Sequence, residues 1–489
     1  MTTAAVSVSR PGIDVRRLLP PTAALVAAAL VGAAVASRSP AVMGAALVPF
    51  LGALVVKPDN ATLLFSICFY MNLPVLAAHS GAGSLLGSAF VLLLFAPLVA
   101  HVVIGRRAIV FTAPIALMVG YLIAMVLSAS IAAQSAPGTA SAIGTYLMEG
   151  LVLVLLLVNV VRTPEMLRNV IWMVLMAGAT MGTISLWQEL THSYGNTLGG
   201  LAQVESLTYK VQHGADQQLR PRLAGPIGEK NRYAQIMLVL LPLAIWIVRT
   251  EQRRVLRIAG SGMAALTLAG ALLTFSRGAF VALVLTVLVA LAMRFLRPRH
   301  VVPLAVVLIG LTFAIAPDYI TRVQSLSTVD AATSTDAGTA DAALVGRATE
   351  NLAAFNTFRD HPVLGVGPGE FFASYSQDEG NALDLRFLQT RRHAHNLYLE
   401  MAADVGVLGL GMFLAIVLLT MAQLRRLSHV WARRRPEMAE LARALILALV
   451  AYLASGIFLQ LSFQRYFWFL IALANATIWI LSRLERTAR

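Results

Sequence analysis

Apolar residues run along this chain in blocks of about 16 to 23, each enough to cross or nearly cross a hydrocarbon core of about 30 Å. The blocks recur from Pro21 almost to the last residue. Runs such as Leu151–Val161 and Val281–Met293 are apolar on every face, which fits helices and not the short alternating strands of a membrane barrel. The pattern predicts spans at 21–37, 40–56, 61–78, 84–104, 111–131, 142–161, 168–190, 233–249, 257–275, 278–296, 300–316, 397–423, 440–460 and 464–482. The fold class expected is an all-α integral membrane protein, a polytopic bundle of about 12–14 transmembrane helices with two long loops. The lower number holds if short segments near the N-terminus or around Arg277 pair as re-entrant hairpins. Five regions follow: N-terminal helices 1–190, a first long loop 191–232, central helices 233–316, a large loop 317–396 and C-terminal helices 397–489.

The polar interruptions carry the topology. Every second connection is basic, with Lys57, Arg106 and Arg107, Arg162 and Arg168, Arg249 to Arg257, Arg294 to Arg299, and Arg425 to Arg435. The positive-inside rule makes these cytoplasmic and both long loops periplasmic. Arg10, Arg16 and Arg17 precede the first span with no small-residue cleavage site after it, so a retained anchor is expected, with both termini cytoplasmic. Composition adds little to this. Hydrophobic residues make up 58% of the 489, charged residues 13%, and the mean hydropathy is +0.74. The net charge of +14 would suit nucleic acid, but it is spread over alternate short loops, which excludes that class. Cys68 is the only cysteine, so no intramolecular disulfide forms.

The large loop is acidic, with six arginines against ten Asp and Glu between Pro317 and Asn396. Its arginines therefore need an explanation other than topology. Ser325–Ala343 has no apolar periodicity and reads as a mobile tip. After it, Leu344, Ala348, Leu352 and Phe355 recur at helical spacing, which predicts about three turns of amphipathic helix on the membrane or the bundle.

Four groups of residues carry candidate chemistry. Arg277, in Leu273–Gly278, sits between two apolar helices at an outer turn where arginine is not favoured; it is either a snorkelling charge or an anion ligand. Arg220, Arg222, Lys230 and Arg232 lie on a Pro/Gly-rich approach to a span, beside Asn231, and serve either as a collar on lipid phosphates or as a site for an anionic group. Gly365–Gly369 is a turn that only superficially resembles a phosphate loop, because no strand precedes it. Arg391, Arg392, His393, His395 and Asn396 close the large loop at a helix entrance. Here three readings stay open: structural histidines, a metal pair lacking a nearby third ligand, or His395 as a general base.

His395-Asn396, nine residues, then Gly406-Val407-Leu408-Gly409 resembles the H-N/S/Q-x9-G-x-x-G pattern of bacterial O-antigen ligases and related O-oligosaccharyltransferases. The chain is similar to that superfamily also at Arg222, Gly225 and Asn231, at Thr274–Gly278, and at Gly346-Arg347 followed by His361–Gly367. The resemblance spans about residues 220 to 410. It implies a membrane glycosyltransferase that moves a glycan from undecaprenyl diphosphate to an acceptor at the periplasmic face, inverting the anomeric centre without a metal or other cofactor. It also implies His395 as base and Arg222, Arg277 and Arg347 as diphosphate ligands, with Arg220, Lys230, Asn231, Arg391, Arg392, His393 and Asn396 accessory. The implied acceptor is lipid A-core, the partners are these two substrates and membrane lipids, and the location is the bacterial inner membrane. Polymerases and protein glycosylases use the same donor. The chain ends soon after its last span, and no arginine in either long loop has glycine eleven residues on, as some polymerases do, so a ligase is favoured. A lipid-linked sugar transporter explains the spans and arginines but not the nine-residue spacing.

Overall fold

The structure is a computed structural model and describes residues 58–78, 90, 93–131, 136–205, 210–213, 216–219, 221–299, 342–376, 391–461 and 464–487. The expected spans 21–37, 40–56 and 300–316, the segment 325–341 and Arg220 lie outside these residues.

Helices dominate. They are α1 (Pro58–Tyr70), α2 (Leu73–Ala78), α3 (Leu93–Ile104), α4 (Ala113–Ile131), α5 (Ala136–Thr145), α6 (Leu153–Val160), α7 (Pro164–Thr191), α8 (Lys230–Thr250), α9 (Arg254–Leu272), α10 (Arg277–Ala292), α11 (Ala342–Asp360), α12 (Leu397–Val430), α13 (Pro436–Ser455) and α14 (Arg465–Thr487). A π turn over Tyr146–Val152 joins α5 to α6 in one rod. Among the described residues, eight helices are long and apolar enough to cross a membrane. Large apolar side chains lie bare on their outer faces, such as Val255, Ile258 and Leu418. On a water-soluble surface that would be a liability, whereas lipid tails cover it at no cost.

Three boundaries differ from the sequence pattern. The block 61–78 is two helices, because the chain turns at Asn72 with φ of 61°. Residues 136–141, expected as part of a linker, form the first turns of α5. The first long loop holds two small antiparallel sheets, β1 (Gln203–Glu205) with β4 (Arg222–Gly225) and β2 (Lys210–His213) with β3 (Asp216–Leu219).

Small residues set the helix packing. A Cβ on Gly182 of α7 would stand 2.1 Å from the backbone oxygen of Leu266 in α9, so only glycine lets these backbones approach. The second close approach shapes the site. At Gly406, φ of 63° and ψ of −169° break α12, and a segment of the large loop fills the break. Val366 and Gly367 donate N–H to the oxygens of Ala403 and Asp404 at 2.9 and 2.8 Å, while Val407 and Leu408 donate to Pro362 and Val363 at 2.8 and 3.2 Å. The orphan groups of the broken helix are thereby satisfied. Ser128 of α4 donates to the Leu364 oxygen at 2.6 Å and locks the loop from the other side.

Helix α11 runs for 19 residues, longer than the three turns expected, and it turns the other face inward. Leu352 and Phe355 are 47% and 50% exposed, while Glu350, Ala353, Ala354 and Thr357 are buried. The small side chains of that stripe let α11 approach the bundle closely. It packs on α12, which carries the site's histidine at its entrance.

Candidate active site

The site begins with a strained turn. Between α9 and α10 the chain reverses over Leu273–Ser276, with Phe275 fully buried at φ of 52°, a conformation costly for an aromatic residue. Arg222 on β4, buried to 4% exposure, holds it: Nε donates to the Thr274 oxygen at 2.9 Å and Nη2 to the Phe275 oxygen at 3.0 Å. Ser276 then caps α10, its Oγ accepting from Ala279 N at 3.3 Å and donating to Asn231 Oδ1 at 2.8 Å. Asn231 stands in the first turn of α8, so two helix N-termini meet. That of α8 is already occupied by Glu229, whose carboxylate accepts from Asn231 N and Arg232 N.

Beside that meeting point lies a small, open cleft lined by Asn231, Ser276, Gly278, Ala279, Arg347, Ser455 and Phe458. Arg277, partly buried, is the first residue of α10 and lies between two of the lining positions. The cleft thus has the positive end of a helix dipole at one wall and a guanidinium at another, a combination suited to an anion. Of the three arginines expected to line one pocket, Arg347 faces the cleft, Arg277 borders it, and Arg222 braces the turn behind it. The other cations of the approach are drawn to separate partners. Lys230 pairs with Glu205, and Arg232 donates to Gln235 Oε1 and to the Gln460 oxygen.

One turn along α11 from Arg347 stands Glu350, which the sequence pattern did not mark. Its side chain is 2% exposed and its Oε2 lies 2.6 Å from Nδ1 of His395. An ionised carboxylate only accepts, so Nδ1 carries the proton and Nε2 is left with its lone pair. Arg392 faces the other oxygen at 3.4 Å. Asn396 caps α12, its Oδ1 accepting from Tyr398 N and Leu399 N at 3.0 and 3.1 Å, which fixes the backbone next to His395. His393 takes a different partner, Glu400 Oε1 at 2.7 Å, and stacks on Phe372 with centroids 4.0 Å apart. Burial works against its charge, but the bond to Glu400 and the charges of Glu400 and Asp404 outweigh it and raise its pKa above the ordinary histidine value. The two imidazoles are therefore held by separate glutamates. Arg391 is exposed.

These features define a polytopic helical membrane protein with an anion-suited cleft and a carboxylate-held histidine, served by Arg347 and Glu350 one turn apart on α11. A family model described as O-antigen ligase matches residues 262–414, a stretch that takes in Arg277, Arg347, Glu350, His395 and the break at Gly406. Over that segment the chain is similar to the O-antigen ligase family, which the match supports. No curated protein matches the chain. In general terms its function is of the O-antigen ligase or polymerase type, that of a glycosyltransferase-like enzyme in the inner membrane.

Proposed function

We propose that the chain transfers O-antigen polysaccharide from undecaprenyl diphosphate to a sugar hydroxyl of lipid A-core at the periplasmic face, inverting the anomeric centre without a metal. The observation that carries this reading is the pairing on α11: Arg347 lines the cleft, and Glu350, at i+3 on the same face, holds His395. The diphosphate occupies the cleft at the N-terminus of α10, with Arg277 and Arg347 on its oxygens and Arg222 keeping the turn in place. Nε2 of His395 accepts the proton as the acceptor oxygen attacks the anomeric carbon opposite the phosphate. The carbon–oxygen bond to phosphate breaks, its electrons pass to the leaving diphosphate, and the guanidinium groups balance the developing charge in place of a divalent cation. Glu350 balances the imidazolium. Polymerase or protein O-oligosaccharyltransferase activity would use the same donor chemistry with a different acceptor.

The test is transfer in vitro with purified protein, lipid-linked glycan and one of three acceptors: lipid A-core, free repeat unit, or a secreted protein. Transfer to lipid A-core alone is the expected result. Transfer only to a repeat unit or to protein would replace the ligase reading, and no transfer to any of the three would sink the transferase reading.

A further inference from the structure

At the opposite end of the bundle, where α6 ends and α14 finishes, a second group of arginines has no role in the chemistry above. We propose that Arg162 and Arg483, both over Trp479, together with Arg107 near Arg162, bind the phosphate of an anionic phospholipid in the leaflet at that end.

The frame is rigid. Asn159 bonds both ways to Val110, Oδ1 accepting from Val110 N at 2.6 Å and Nδ2 donating to Val110 O at 3.0 Å, which pins the connection before α4. Arg162 continues this, Nη2 donating to the Ala108 oxygen at 2.8 Å. The guanidinium groups of Arg162 and Arg483 lie over the Trp479 ring, 5.6 and 5.4 Å from its centroid. The exposed Arg483 thereby keeps donors open to phosphate oxygens, while Arg162, whose Nη2 is taken by the Ala108 oxygen and Asn159 Oδ1, contributes chiefly its charge.

The charge is unbalanced. Burial, and then the like charges of Arg107 and Arg483, hold the pKa of Arg162 below its ordinary value. Arg162 Nε is buried with no hydrogen-bond partner among the described residues. Three acids of that end are engaged elsewhere, Glu485 with Arg426 at 2.8 Å, Glu251 with Arg168 at 2.8 Å and Asp59 with His101 at 2.9 Å, and the exposed Glu165 in the first turn of α7 forms no ion pair with Arg107, Arg162 or Arg483.

The surroundings choose between a lipid and a free anion. Val103, Ile104, Ile109 and Phe111, which flank Arg107, are 67%, 77%, 60% and 58% exposed. An apolar collar directly beside a cationic edge matches acyl chains below a headgroup, while inorganic phosphate gains nothing from it.

The experiment uses the full chain in nanodiscs of phosphatidylcholine with graded phosphatidylglycerol, with lipid affinity read by native mass spectrometry and by the midpoint of thermal unfolding. Phosphatidylglycerol is expected to bind in preference and to raise the midpoint. Arg107→Gln with Arg483→Gln, both exposed positions, is expected to weaken binding about 25-fold, roughly fivefold for each arginine near a membrane surface. Unchanged unfolding of this variant in pure phosphatidylcholine shows that it is folded. Arg254→Gln, an exposed arginine elsewhere at the same end, is expected to leave lipid affinity as it was. Equal loss in Arg254→Gln would mean a diffuse basic collar, wild-type affinity in the double variant would mean no site, and displacement of the lipid by millimolar inorganic phosphate would mean a free-anion site; each overturns the proposal. None of these readouts depends on transferase activity.

Discussion

Glu350→Gln removes one charge and almost no volume from the centre of the site. In the wild type Glu350 is 2% exposed and 2.6 Å from His395 Nδ1, which makes it a short, charge-assisted hydrogen bond shielded from water. Hydrogen bonds to charged groups contribute about 1.5–3 kcal/mol. If that stabilisation is felt as the imidazole takes a proton in the transition state, kcat falls about 10- to 150-fold, at about 1.4 kcal/mol per decade. The amide can also turn its NH2 toward Nδ1, which favours the wrong tautomer and pushes the loss upward. KM for the donor should hold, since Arg277 and Arg347 are untouched. Arg392 lies half-exposed and turns to water when its partner goes, so stability should change little. Steady-state transfer with varied donor and acceptor, repeated across pH, separates these terms. A variant with wild-type kcat and an unshifted pH profile would show that Glu350 does not act through His395, and a loss confined to donor KM would move it to the binding machinery.

Other consequences follow from the same geometry. Gly406→Ala is expected to cost about 2–6 kcal/mol from forbidden φ and overpacking, because its Cβ would meet the Val363 backbone oxygen at 2.2 Å. Gly411→Ala on the same helix meets nothing within 4 Å and should be neutral; thermal unfolding of the pair checks both. Arg277→Lys and Arg347→Lys keep charge but lose the fork, so each should lower transfer about tenfold or more, and full activity in either would remove it from direct diphosphate contact. His393 has a raised pKa, so the stability of its pair with Glu400 is complete below the ordinary histidine range and lost as pH rises through the raised value. The unfolding midpoint should therefore fall with alkalinisation more in wild type than in His393→Gln, and identical pH curves would contradict this. An alkaline-phosphatase fusion near Asp336 should be active and one near Arg434 inactive.

The sequence made the broad architecture legible because lipid solvation leaves a coarse, long-range mark: every span needs its apolar run and every cytoplasmic turn its arginines. The nine-residue interval after His395-Asn396 was visible too, although its physical meaning was not. Gly406 spaces a break in α12 into which residues 362–367 insert, and nothing in a linear pattern tells which distant segment fills a broken helix. At Gly409 a Cβ would meet Val405 of its own helix, a contact the linear spacing does not reveal. Glu350 escaped notice for a related reason. On α11 the periodicity visible in the sequence was that of Leu344, Ala348, Leu352 and Phe355, and the stripe of Gly346, Glu350, Ala353 and Thr357 carries no large apolar residue to mark it as buried. Close packing against α12 favours small residues, and the one carboxylate among them is buried because His395 and Arg392 receive it. The signal available was the i,i+3 spacing of Arg347 and Glu350 on a helix leading into a histidine motif. For the arginines of the first loop, residue type showed that they bind oxygens but not that Arg222 takes two backbone carbonyls of the protein itself.

The most direct measurement is single-turnover transfer by wild type and His395→Ala at matched donor occupancy, each with and without a chelator. The account expects His395→Ala to bind lipid-linked donor normally and to transfer it about a hundredfold or more slowly, with chelator changing neither protein. Rapid transfer by His395→Ala that a chelator abolishes would contradict it and return the histidines to a metal.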